Sequence, residues 1–113
     1  MALAACSQRL AAPRDFIVFF ETDQAALTAE GQQIVVAIAA NARELSPSKI
    51  VVAGHADGGT AHDAALADQR ATTVMRALVD QGVSALRIEK QADAPPPERS
   101  GFAAHQVVVR LLP

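Results

Sequence analysis

Two short runs of strand-forming residues, Phe16-Ile17-Val18-Phe19-Phe20 and Ile50-Val51-Val52-Ala53, are each followed by a stretch with helical periodicity. That alternation is the strongest constraint on the fold. A strand–helix–strand unit needs a crossover, and such crossovers are right-handed and give parallel pairing in at least part of the sheet. The first run is apolar throughout, which suits a strand buried on both faces. After the polar break Glu21-Thr22-Asp23-Gln24, Thr28 is placed to cap a helix. Glu30 then lies in the first turn, where the helix dipole favours an acid. Ile34, Val35, Ile38, Ala42 and Leu45 share one face of that helix, and Ser46-Pro47 ends it. Beyond the second run, Asp57-Gly58-Gly59-Thr60 reads as a turn. From about His62 a second stripe begins with Ala67, Ala71, Val74 and Leu78, and Gly82 fits the C′ stop.

Leu86-Arg87-Ile88-Glu89 is a weak third strand, QADAPPPERSGFA at 91–103 is a Pro-rich loop, and QVVVRLL closes the chain as a fourth strand. The order is β-α-β-α-β-β. It predicts a two-layer α/β sandwich, a mixed sheet with both helices on one face. No helix joins the last two strands, so antiparallel pairing between them is allowed. Residues 1–15 read as a signal remnant and tether, and residues 16–113 as the domain.

The length of 113 residues gives one domain with a real core, built mainly from Ala, Val, Leu and Ile because Trp and Tyr are absent. The net charge of −2 is spread over both signs, without a basic patch interleaved with aromatics, which argues against nucleic acid as a partner. No apolar run approaches the roughly 20 residues of a membrane span. The single cysteine, Cys6, excludes an internal disulfide. Leu3-Ala4-Ala5-Cys6 has the form of a bacterial lipobox. Five uncharged residues before it are too few for a working signal, which leaves two readings: the end of a lipoprotein signal, or an incidental cysteine in an Ala-rich tail. If Cys6 is lipidated, the nine residues before Phe16 allow the domain no more than about 30 Å from the bilayer.

Several stretches together resemble the OmpA-like C-terminal domain family. They are Val18-Phe19-Phe20-Glu21-Thr22-Asp23 with Leu27-Thr28, Gly54-His55-Ala56-Asp57, Leu66-Ala67-Asp68-Gln69-Arg70-Ala71, and Gly82-Val83. The resemblance spans about residues 16–112. It implies non-covalent binding of peptidoglycan through the diaminopimelate of the peptide stem, at the periplasmic face of the outer membrane. It implies no catalysis and no cofactor. By the family's pattern, Asp57 would take the ammonium of the ligand and Arg70 its carboxylate, with Asp63, His55 and Gly58 at the rim. The chemistry suits those roles, since an Arg guanidinium grips a carboxylate in bidentate fashion and helix N-termini favour anions.

The sequence also departs from the family's pattern. Ala56 stands where a Thr is usual, and Asp63 where an Asn is usual, which puts a negative charge near the proposed carboxylate position. The turn before Arg70 is short. Ala104-His105-Gln106-Val107 replaces a closing Asn-Arg-Arg-Val, and QADAPPP replaces a Gly-x-Gly-Glu stretch. The frame is kept and the site is partly eroded.

Three other readings compete. From residue types alone, Asp57 and Arg70 suit a plain ion pair between loop and helix. His55, His62 and the nearby aspartates are suitable types for zinc, although the resemblance gives His55 no such role. A divergent adaptor would keep the fold, lose wall binding and dock an envelope protein by a sheet edge or helix face, along QVVVRLL if that strand lies at an edge, although the plainer reading of QVVVRLL is a buried strand of the domain. Enzyme chemistry has little support, because there is no Gly-x-Ser-x-Gly elbow and Cys6 is far in sequence from every His.

Overall fold

The computed structural model describes residues 10–55, 61–94 and 106–113, and for 92–94 the backbone only. The elements run β1 (Arg14–Phe19), α1 (Ala29–Leu45), β2 (Lys49–His55), α2 (Ala61–Asp80), a 3₁₀ turn (Ala85–Arg87), β3 (Ile88–Ala94) and β4 (Gln106–Leu112). The strands form one mixed sheet in the order β1-β4-β2-β3. β2 and β3 are parallel across the α2 crossover, and β4 is antiparallel to both β1 and β2. The architecture is the expected two-layer α/β sandwich.

Alternate residues of each strand explain the layering. Val18, Ile50, Val52, Val107, Val109 and Leu111 point into one core with Val35, Ile38 and Ala39 of α1 and Ala71, Val74 and Leu78 of α2. Both helices therefore cover the same face. Thr28 caps α1 as its position suggested, its hydroxyl accepting from the Gly31 N–H at 2.9 Å. Ser46 ends that helix in the left-handed region, with φ of 47°. Gly82, with φ of +97°, ends α2, and the Val83 N–H returns to the Leu78 carbonyl at 3.0 Å. A side chain at Gly82 would strain the backbone there.

Three expectations are corrected. The Phe16–Phe20 run is not buried on both faces. With no described helix behind the sheet, Ile17 is 41% and Phe19 53% exposed, while Val18 is fully buried. The last two strands do not pair with each other. β4 lies between β1 and β2, with Ile17 opposite Val108 and Val108 opposite Ala53, so QVVVRLL is central and offers no free edge. The third strand begins two residues later than expected and runs to Ala94. Ser84 caps a 3₁₀ turn instead, leaving Leu86 in solvent.

The packed chain also begins early. Leu10 is buried in the core, and its N–H donates to the Leu45 carbonyl at 3.2 Å.

Candidate functional site

The site is built where the C-terminal end of β2 meets the first half of α2. Gly54 makes that meeting possible. A Cβ at Gly54 would lie 2.3 Å from the Ala67 carbonyl oxygen and 3.3 Å from the Ala71 methyl. The motif glycine is therefore explained by packing, since only a bare Cα lets α2 lie this close. The β2–β3 register also shifts between Ala53 and His55. Such irregularities re-aim side chains at sheet ends. His55, the last residue of β2, is buried.

Arg70 lies on α2 between the buried alanines Ala67 and Ala71 and is itself only 3% exposed. Its guanidinium reaches across to the β1–α1 loop. Nε donates to the Gln24 carbonyl at 2.8 Å, and Nη2 to the Glu21 carbonyl at 2.9 Å. The guanidinium carbon stands 5.5 Å from the centroid of the Phe20 ring, in cation–π range. Burial pushes the Arg70 guanidinium below its ordinary value and the charge of Asp23 opposes that shift. An arginine stays protonated through such a change. Thr73, one turn further along, donates its hydroxyl to the Ala25 carbonyl at 2.8 Å. Arg70 and Thr73 thus hold the loop at Glu21, Gln24 and Ala25 from one helix face.

The tip of that loop also meets α2. Asp23 has φ of +55°, a left-handed conformation that Asp tolerates better than most residues. Its Oδ1 lies 3.5 Å from Nε2 of His62 in the first turn of α2. Both side chains are largely exposed. Asp63, half-buried, is also in that first turn, where the helix dipole favours an acid. Gln106, which stands in place of one arginine of the resembled pattern, is buried opposite Phe19 at the start of β4.

The structure thus brings Arg70, His55 and Asp63 to one end of the sheet. Asp57 and Gly58, the other two candidates, lie outside the described residues, as does Cys6. Among the described residues no group of three His, Cys, Asp or Glu is arranged to hold a metal ion. No described helix is long and apolar enough to cross a membrane. Sequence reasoning missed the partners of Arg70, because they are backbone carbonyls and carry no residue signature. It also missed the Asp23–His62 pair, whose members are 39 positions apart. A hollow of about 260 Å³ lies behind the same loop, between Phe19, Phe20, Glu21, Thr28 and Ile34. A larger one, about 470 Å³, is at the opposite end of the sheet, around Arg43, Pro47, Val83 and Arg87.

A β-α-β-α-β-β sandwich with β4 in the middle of the sheet, a Gly-His pair ending β2 and a buried arginine on the following helix define an OmpA-like domain. The chain belongs to the OmpA family, whose model matches residues 19–107. Among curated proteins none matches the sequence. Solved structures do. The OmpA-like domain of FopA1 from Francisella tularensis subsp. tularensis SCHU S4 aligns with a TM-score of 0.74 at 17% identity, over 88% of this chain and 71% of that one. The cell wall anchor of the T6SS from Pseudomonas aeruginosa gives 0.73 at 19%, over 91% and 83%. The peptidoglycan-associated lipoprotein from Burkholderia pseudomallei gives 0.66 at 20%, over 84% and 87%. At these identities the likeness is one of fold.

Proposed function

We propose that this domain binds peptidoglycan non-covalently, through the diaminopimelate end of the peptide stem, and that it is a binding module and not an enzyme. The observation that carries the reading is Arg70. A guanidinium buried to 3% exposure at the C-terminal end of β2 is held rigid by two carbonyls, and a rigid fork suits a carboxylate. Asp57, two residues beyond His55, takes the ligand's ammonium. Asp63, His55 and Gly58 shape the rim. Two of the structural relatives are by name a cell wall anchor and a peptidoglycan-associated lipoprotein, which agrees with this ligand. If Cys6 is acylated, the domain stands at the periplasmic face of the outer membrane and links it to the wall.

The test is sedimentation with purified sacculi. The native domain is expected in the pellet, and Asp57→Ala and Arg70→Ala in the supernatant, each with native circular dichroism. Retention of either folded variant by the sacculi removes the clamp as the explanation. Amide shifts on titration with a stem tripeptide ending in diaminopimelate provide the second reading. They are expected to cluster from His55 to Arg70, and no shifts at millimolar ligand would refute the proposal.

A further inference from the structure

The loop that covers Arg70 carries an acid, and that acid has a titratable neighbour. Asp23 sits at the loop tip between Glu21 and Gln24, whose carbonyls receive the Arg70 guanidinium. Its charge acts on Arg70. A carboxylate approaching Arg70 would therefore meet a second carboxylate already in the neighbourhood. His62 Nε2 is 3.5 Å from Asp23 Oδ1, close enough to offset part of that charge when the imidazole is protonated. Histidine is the side chain whose charge changes between about pH 5 and 8.

We infer that Asp23 and His62 form a charge gate beside Arg70, which admits an anionic ligand group more readily when His62 carries its proton. The inference rests on the proposed role of Arg70 as carboxylate acceptor. It assigns Asp23 and His62 as specificity-determining residues that act through the field at Arg70. The other described titratable groups around this loop are Glu21 on the loop, Glu30 in the first turn of α1, Asp63 on α2 and His55 at the end of β2. The variants below separate the Asp23–His62 pair from these acids. His55 is buried, and it is separated from His62 by the variants below.

The size follows from the exposure of the pair. Both side chains are more than two-thirds exposed, so the pair belongs with weak surface ion pairs and can change affinity at Arg70 by at most about fivefold.

The experiment has two readouts on the full chain. The first needs no ligand. In nitrogen-15 NMR, the Arg70 Nε–H signal and the amides of Asp23 and Gln24 are followed from pH 8 to pH 5.5. They should move together in the native protein and stay flat in His62→Gln. The second variant, Asp23→Asn, keeps a side chain that tolerates the left-handed backbone at position 23. The second readout is the Kd of a stem tripeptide ending in diaminopimelate at the two pH values. The native protein should bind two- to fivefold tighter at pH 5.5. Asp23→Asn should bind more tightly than the native protein at pH 8, and His62→Gln with the weaker Kd at both. A native Kd that does not change with pH overturns the gate and leaves wall binding standing. Arg70 signals that ignore pH in the native protein overturn the gate whatever the ligand does. Absence of tripeptide binding at both pH values overturns the wall-binding reading, and the gate with it.

Discussion

Gly54→Ala is the substitution that tests the packing argument most sharply. The new methyl would be placed 2.3 Å from the Ala67 carbonyl oxygen and 3.1 Å from its carbon. Ordinary contacts begin near 3.4 Å, so β2 and α2 must separate by about 1 Å. The obstacle is backbone on both sides, and no rotamer relieves it. Overpacking of this kind costs about 1–3 kcal/mol, and the absence of a flexible partner puts Gly54→Ala near the upper end. For a domain of this size that is a fall of roughly 10–15 °C in Tm. The contrast is Gly31→Ala. Its methyl would meet side-chain atoms, Leu27 Cδ2 and Thr28 Oγ1, both at 3.2 Å, and the Leu27 end can swing aside. Gly31 is also in the first turn of α1, where alanine recovers up to about 1 kcal/mol of helix propensity. Gly31→Ala should change stability by less than about 1 kcal/mol. Urea unfolding at constant m measures both. A loss below about 0.5 kcal/mol in Gly54→Ala, or equal losses in the two variants, would refute the claim that Gly54 sets the helix–sheet distance.

Removing the cap of α1 with Thr28→Ala should cost about 1 kcal/mol in urea unfolding, because the Gly31 N–H loses its acceptor. Arg70→Lys keeps the charge but not the fork, so one of the carbonyls of Glu21 and Gln24 turns to water. Stability should fall by about 1–2 kcal/mol, and amide exchange of residues 21–25 should speed up, as hydrogen-exchange mass spectrometry would show. Arg110, in a two-bond contact with Asp15 at 2.7 and 2.9 Å, holds the Asp15 carboxyl below its ordinary value of 3.8. A depressed folded value means that the stabilisation is present above about pH 4–5 and is lost as pH falls through the folded value. The pair is about half exposed, so the effect is only a few tenths of a kcal/mol. Asp15→Asn should therefore be less stable than the native protein at pH 6, with the gap closing towards pH 3 in parallel urea titrations.

Local periodicity carried much of this fold into the sequence. Thr28, the α1 stripe and Gly82 each acted where their chemistry placed them, because caps and amphipathic faces are decided within a few residues. Sheet order was not legible. That β4 enters between β1 and β2 depends on pairings such as Arg14 with Leu111, nearly the length of the chain apart. The β3 strand was hard to bound because IEKQADA is a polar edge strand without alternation. Its outer side is held by Lys90, which reaches Asp68 on α2 at 2.7 Å. Half-exposure of Ile17 and Phe19 could not be read from an apolar run, since the run does not say how many layers the sheet has. At the site, residue types marked Arg70, but its depth and its hold on the loop come from backbone carbonyls that any residue could supply.

The central position of β4 has a kinetic consequence. Among the described strands, β1 pairs only with β4, and β4 is the last described element of the domain. β1 therefore has no sheet partner until β4 has been made. The loop to be closed spans almost the whole domain, which costs entropy before any pairing repays it. Contacts of such sequence separation place folding in the slower range for small domains, milliseconds to seconds. Until the two strands pair, Ile17, Phe19 and the valines of β4 stay uncovered. A binding partner for nascent or unfolded chains would find its hydrophobic segments in the first and fourth strands of this domain.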